Sequence, residues 1–193
     1  MREYGTKYYE AYNSLIPNAF KADLWRYCVL YKNGGIYGDM TQEFLKDYNV
    51  NKENVDMVLV KDGHNNDVQI SFMATIKNNN FLKYLIDNVV DNIFKKNKGD
   101  GVFDITGPTA FGKNFLKFFS VNHIPFGIYS LKGLDNKDYK IRIDMKQSYR
   151  SFLNIYNDEK IVKTKMEGHD NLIVKEGNQS KYGKLYNENK IFK

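Results

Sequence analysis

Asp23 and Arg26 stand three residues apart, and Asp39 follows behind the glycine pair Gly34-Gly35. On a helix, a three-residue spacing sets Asp23 and Arg26 side by side on one face, where they can pair or jointly bind a polyhydroxyl ligand. Gly34 lets that helix end in a left-handed cap, Gly35 lets the backbone turn sharply, and the chain then delivers Asp39 at the end of a short strand. Strand ends are where α/β sheets hold ligands. A carboxylate in such a crevice suits Mg²⁺ or Mn²⁺, which take oxygen donors and bridge to substrate phosphates. Taken singly, each feature has a plainer reading: a surface ion pair, a helix cap and a turn cap.

The elements that must position these residues follow from apolar spacing. Phe20, Leu24, Tyr27, Cys28 and Tyr31 recur at three and four residues, so a helix is expected over about residues 19–32, with Gly34 where it stops. Ile36 and Tyr37 open a strand, and Met57 to Val60 and Val68 to Ile76 read as further strands. Leu82, Leu85, Ile86, Val89 and Ile93 give an amphipathic helix between Asn80 and Lys96. Thr106-Gly107-Pro108 signals another helix, with Thr106 as a cap and proline at its first turn. Strands rich in Ile and Tyr follow at Gly127 to Leu131, Tyr139 to Ile143, Phe152 to Tyr156 and Ile161 to Lys165. Strands interleaved with helices indicate the α/β class, and neither a repeat nor a linker divides the chain. A single domain over residues 1–193 is expected, with its core in 15–130 and a basic segment in 137–193.

Composition narrows the function. The chain has 193 residues, 42% of them apolar and 15% aromatic, enough to bury a core. No apolar run approaches a membrane span and the N-terminus lacks a signal peptide's apolar stretch, so a cytoplasmic location is expected. Cys28 is the only cysteine, which excludes an internal disulfide and a multi-cysteine zinc site and suggests a buried thiol. The net charge of +6 divides into +1 over residues 1–136 and +5 over 137–193. That basic segment suits an anionic ligand, but the aromatic residues are spaced as a core, and no specific nucleic-acid interaction is expected. Lysine far exceeds arginine and Asn and Ile abound, a bias of AT-rich coding such as that of a large DNA virus or an AT-rich microbe. There is no phosphate loop, and His64, His123 and His169 offer no Ser-His-Asp arrangement.

The stretch from Asp23 to Thr41 resembles the central signature of sugar transferases of the DXD-motif type, glycosyltransferase family 32: D-x-x-R-Y-x-x-L-x-x-x-G-G-x-Y-x-D-x-D. Similarity continues through Val68 to Asn80 and Thr106-Gly107-Pro108, and more weakly in Lys181 to Tyr186, where Tyr186 replaces the family's Trp. The resemblance implies a GT-A type nucleotide-diphosphosugar fold, a Rossmann-like mixed sheet flanked by helices. It implies retaining transfer from a UDP- or GDP-sugar to a glycan or glycoprotein acceptor, with Mn²⁺ or Mg²⁺ holding the diphosphate. By the same resemblance Asp23, Arg26, Gly34, Gly35, Tyr37, Asp39 and Thr41 belong to the donor site, with Lys181 and Lys184 contributing from the basic segment. Asp39 would serve the metal.

Two departures qualify the expectation. Thr41 stands where the motif has its second Asp, so Glu43 or His169-Asp170 would have to complete the metal site. Only 22 residues precede Asp23, fewer than the family's usual N-terminal unit, so a second chain completing the nucleotide pocket is one expectation. The alternative function is a binding module or partner subunit that keeps the fold without catalysis.

Overall fold

The computed structural model of the chain describes residues 1–45, 47, 54–62, 66–146, 152–154, 160–163, 175–176 and 179–193. Among the described residues five α-helices, α1 (Thr6–Ser14), α2 (Asn18–Asn33), α3 (Asn80–Phe94), α4 (Pro108–Phe119) and α5 (Lys181–Asn187), and a 3₁₀ turn at Arg2–Tyr4 accompany ten strands. The strands are β1 (Gly35–Gly38), β2 (Glu43–Phe44), β3 (Met57–Asp62), β4 (Phe72–Thr75), β5 (Gly127–Lys132), β6 (Asp138–Lys146), β7 (Phe152–Asn154), β8 (Lys160–Lys163), β9 (Lys175–Glu176) and β10 (Gln179–Ser180). This is the expected α/β class. No helix among the described residues is long and apolar enough to cross a membrane.

Local chemistry accounts for the main helices. The apolar stripe of α2 is buried along its length, and Gly34 ends the helix with its N–H on the Leu30 carbonyl at φ 67, ψ −162. The positive φ was expected; the extended ψ differs from a left-handed cap and sends the chain directly into β1. Asn79 caps α3 by accepting from the Phe81 and Leu82 N–H groups. Gly107 is the N-cap of α4 and Pro108 its first residue. Thr106 therefore does not cap that helix, and its side chain goes elsewhere. Phe81 of α3 packs its ring 5.2–5.7 Å from those of Phe111, Phe115, Phe118 and Phe119 on α4, an aromatic knot that fixes the two helices together.

The larger sheet runs β1-β4-β3-β6-β7-β8-β2, with β5 also paired to β6. Its centre is the parallel pair β3 and β6, in register from Met57 opposite Ile141 to Asp62 opposite Lys146. Period-two alternation sorts the two faces. Met57, Leu59, Ile141 and Ile143 join the helices in the main core, whereas Val58 and Val60 pack with Phe72, Ala74, Ile161 and Val162 in a second apolar cluster. β1 and β2 are the two ends of the strand path, yet only residues 39–42 separate them in sequence. The sheet therefore curls back on itself around the second cluster, with the Phe44 ring 6.0 Å from that of Phe72. The residue-39 corner lies where the two ends meet.

One expected strand is cut short. Within Val68 to Ile76 only Phe72–Thr75 forms a strand, and Val68 makes an isolated bridge to Lys61. The chain turns at Ile70 and Ser71: the Ile70 carbonyl accepts from Arg26 at 2.8 Å, while the Asp39 N–H donates to the Ser71 carbonyl at 2.9 Å and carries the β1–β4 register one pair further. The Ile70 carbonyl thus supports one of the charged residues described next.

Candidate functional site

The Asp23 and Arg26 pair, whose plainer reading was a surface ion pair, is buried: the residues are 9% and 7% exposed. Arg26 Nη2 lies 3.1 Å from Asp23 Oδ1, and Nη1 lies 3.3 Å from Asp39 Oδ1 and donates to the Ile70 carbonyl. The guanidinium also sits 4.6 Å from the centre of the Tyr37 ring. One cation is thus shared by two carboxylates, one from α2 and one from the corner after β1, leaving a cluster of formal charge −1.

Each carboxylate is held by a hydroxyl as well. Thr106 Oγ1 donates to Asp23 Oδ2 at 2.9 Å, and the Tyr37 hydroxyl donates to Asp39 Oδ1 at 2.8 Å. Burial pushes the Asp23 carboxyl up to about 7, against the pull of Arg26 and the Thr106 hydroxyl, with Asp39 adding to the rise. Burial also works against the Arg26 charge, but Asp23 and Asp39 outweigh it and raise its pKa. Burial and the Asp39 carboxylate hold the Tyr37 phenol protonated well above its ordinary range, so it stays a donor.

Of these residues, Asp23, Arg26 and Asp39 line a cavity of about 190 Å³. Asp23, Arg26 and Asp39 supply its charge, Gln69 and Ser71 a neutral polar edge, and Phe20, Phe103 and Tyr182 an aromatic side. Gln42 and Gln69 both donate to Ser71 Oγ, at 2.9 and 2.7 Å. Tyr182 comes from α5, its ring 6.1 Å from that of Phe20, so the far end of the chain closes one side of the cavity. Phe103 is 44% exposed at the mouth, on a loop where Asp104 accepts from the Asp100 and Gly101 N–H groups and pairs with Lys113.

Of the residues expected at the donor site, the fold brings Asp23, Arg26, Tyr37 and Asp39 together. Gly34 and Gly35 line a different cleft, with Asp56, Thr75 and Lys77. Gly34 is required there for packing, since a Cβ would lie 2.6 Å from the Lys77 nitrogen. Thr41 occupies the turn before β2 and does not line the cavity. Lys181 and Lys184 are exposed on α5, while their neighbour Tyr182 reaches the cavity. Tyr186 bonds the Gly99 carbonyl under Lys98. Cys28 is buried as expected, its thiol pushed up to about 12 mainly by burial.

The expected metal ligands divide in the same way. Asp39 faces the cavity, but its Oδ1 is already taken by Arg26 and Tyr37. Glu43 lies exposed on β2, 3.4 Å from Lys163. His169 and Asp170 lie outside the described residues. Among the described residues no three His, Cys, Asp or Glu side chains gather into a metal cluster. These donors do not by themselves fit a divalent cation, which needs several free oxygens.

Sequence reasoning missed Thr106, Gln69, Ser71, Phe103 and the part played by Tyr182. Thr106 carried a visible signal, its place in Thr-Gly-Pro, but that signal pointed to a cap.

Comparison with known proteins bears on the same segment. Residues 1–58 match the family model described as the glycosyltransferase sugar-binding region containing a DXD motif. That span holds Asp23, Arg26, Tyr37, Asp39 and Thr41. No curated protein matches the chain. Among solved structures, the chain is similar to one titled PaToxG glycosyltransferase, with 21% identity and a TM-score of 0.43 over 52% of this chain and 35% of that one.

Proposed function

We propose that the chain is a glycosyltransferase of the GT-A type that moves a sugar, with retention, from a UDP- or GDP-sugar to a glycan or protein acceptor. The observation that carries this reading is the Asp23, Arg26 and Asp39 cluster inside the 190 Å³ cavity, within the segment that matches the sugar-binding family model. A cavity this small falls below the roughly 300–1,000 Å³ of drug-sized pockets. It suits a single sugar ring, with the nucleotide lying outward. Carboxylate and guanidinium side by side match the alternating donors and acceptors of sugar hydroxyls. The cluster's excess negative charge also favours the oxocarbenium-like sugar that develops as the bond between the anomeric carbon and the diphosphate breaks.

In this reading Asp23 and Arg26 hold the sugar hydroxyls. Asp39 turns Oδ2, which takes no described partner, towards donor ribose and sugar. The described donors do not suffice for Mn²⁺ or Mg²⁺, so no step is assigned to a metal. The deciding experiment measures UDP or GDP release from a panel of nucleotide sugars, in Mn²⁺, Mg²⁺ or EDTA, for the wild type and Asp39→Asn. Release that Asp39→Asn abolishes is the expected result, and the EDTA arm reports whether a cation takes part. Equal silence of both proteins, without donor binding by calorimetry, would overturn the reading.

A further inference from the structure

Thr106 is fully buried and is gripped from α2 at two adjacent turns. Its hydroxyl donates to Asp23 Oδ2 at 2.9 Å, while its carbonyl accepts from the Tyr27 hydroxyl at 2.7 Å. Asp23 and Tyr27 are four residues apart and so project from the same face of the helix. The backbone around residue 106 is fixed on its other side too. A Cβ on Gly107 would lie 3.2 Å from Phe103 Cα, and the Pro108 carbonyl accepts from the Val68 N–H. Thr106 therefore has one place to stand and one direction in which to aim its hydroxyl.

That direction matters because the Asp23 carboxylate has few restraints of its own. Arg26 binds Oδ1, and Arg26 is itself shared with Asp39 and the Ile70 carbonyl. With only that contact, the carboxylate plane could swing about the Cβ–Cγ bond, a broad torsion in aspartate. The Thr106 hydroxyl supplies the second point that defines the plane. The remaining lone pairs are then presented to the cavity in a constant orientation.

We propose that Thr106 is a positioning residue, which orients the Asp23 carboxylate for recognition of the sugar through the hydroxyl bond to Oδ2. The proposal rests on the reading of the cavity as a sugar-transfer site, but its geometry can be tested with no ligand present. Because Asp23 reads the sugar, loss of the Thr106 hydroxyl weakens nucleotide-sugar binding without weakening binding of the nucleoside diphosphate alone. A bond to a charged acceptor corresponds to an affinity loss of roughly tenfold or more. The same bond stabilises the ionised form of Asp23, so its removal moves the carboxyl titration upward. The titratable and charged groups around Asp23 are Arg26 and Tyr27 on α2, Tyr37 and Asp39 at the β1 corner and Tyr182 across the cavity, and none of them is altered.

The test compares the wild type, Thr106→Val and Thr106→Ser. Calorimetry gives affinities for UDP-glucose, GDP-mannose, UDP and GDP, and ¹³C NMR follows the Asp23 carboxyl against pH. In Thr106→Val, the preference for nucleotide sugar over the matching nucleoside diphosphate is expected to fall about tenfold. The Asp23 midpoint is expected to rise, and Thr106→Ser should restore both. A midpoint that stays in place in Thr106→Val overturns the proposal, as does an unchanged preference in a protein that binds nucleotide sugars. A wild type that binds no nucleotide, but whose Asp23 midpoint moves in the Val variant and returns in the Ser variant, upholds the positioning and refutes the transferase reading.

Discussion

The Tyr37 hydroxyl donates to Asp39 Oδ1 at 2.8 Å, while the face of the same ring lies 4.6 Å from the Arg26 guanidinium that binds that oxygen. One side chain thus touches both charges, with its edge on the anion and its face to the cation. Tyr37→Phe keeps the ring and removes the hydroxyl, which separates the two contacts. A bond to a charged group is worth about 1.5–3 kcal/mol when desolvated, and the Asp39 side chain is 32% exposed, so about 1 kcal/mol is the reasonable share. Donor affinity is expected to fall three- to tenfold with little change in thermal unfolding. A larger loss of stability than of affinity would place the hydroxyl in the fold and not in the site.

Arg26 is the cation on which the cluster depends. Replacing it with alanine leaves two facing carboxylates without their partner, a change that costs about 3–5 kcal/mol in buried pairs. Asp23 can relieve part of that cost by taking a proton. Arg26→Ala should therefore be more destabilised at pH 8 than at pH 5, measured by denaturant unfolding. Arg26→Lys keeps the charge but cannot reach Asp23, Asp39 and the Ile70 carbonyl from one planar group, so nucleotide release is expected to drop at least tenfold. Equal activity of the lysine variant would refute the shared-guanidinium account.

The site was only partly legible in the sequence, for reasons that differ from residue to residue. The three-residue step from Asp23 to Arg26 predicts adjacency because helical geometry is local, and the apolar spacing around Leu24 and Tyr27 marks α2 for the same reason. The burial of that pair was not legible. It depends on Ile70 and Thr106, which are 44 and 83 residues away from their partners Arg26 and Asp23 and obey no period. β4 proved shorter than its apolar run because the chain turns at Ile70 and Ser71, where the Ile70 carbonyl serves Arg26, a tertiary demand that overrides strand propensity. The pairing of β2 with β8 is two residues long, and α5 buries no residue completely, so neither leaves a readable pattern.

The Asp23 carboxyl, pushed up to about 7, predicts opposite pH trends in activity and stability. Binding needs the ionised pair with Arg26, so donor affinity and turnover should rise as pH increases through about 7. Stability runs the other way. The folded value lies above that of the unfolded chain, so the contribution is fully present below the ordinary aspartate range and is lost as pH rises through about 7. Asp23→Asn removes the titration. The difference in unfolding free energy between the wild type and this variant should therefore change between pH 4 and 7 and level off above it. A difference independent of pH across that window would show that Asp23 titrates in its ordinary range.

Gly112 tests how the site is tied to the aromatic knot. It lies inside α4, where alanine would ordinarily gain about 1 kcal/mol of helix propensity. A Cβ there, however, would fall 1.8 Å from the Asn66 carbonyl oxygen, backbone that cannot step aside cheaply. Asn66 is itself fixed, because its Oδ1 accepts from the Ile124 N–H at 2.9 Å. Overpacking of this kind costs about 1–3 kcal/mol and outweighs the propensity gain. Gly112→Ala is therefore expected to lower the unfolding temperature by several degrees. The segment pushed aside leads straight into Gln69, Ile70 and Ser71, which support Arg26 and the Asp39 corner, so donor affinity should fall along with stability. Gly35→Ala is the control: a Cβ there meets nothing within 4 Å, and its φ of 94° confines the cost to local backbone strain. If Gly112→Ala loses stability while donor affinity stays at the wild-type level, the cavity is insulated from α4 and the proposed link between knot and site is wrong.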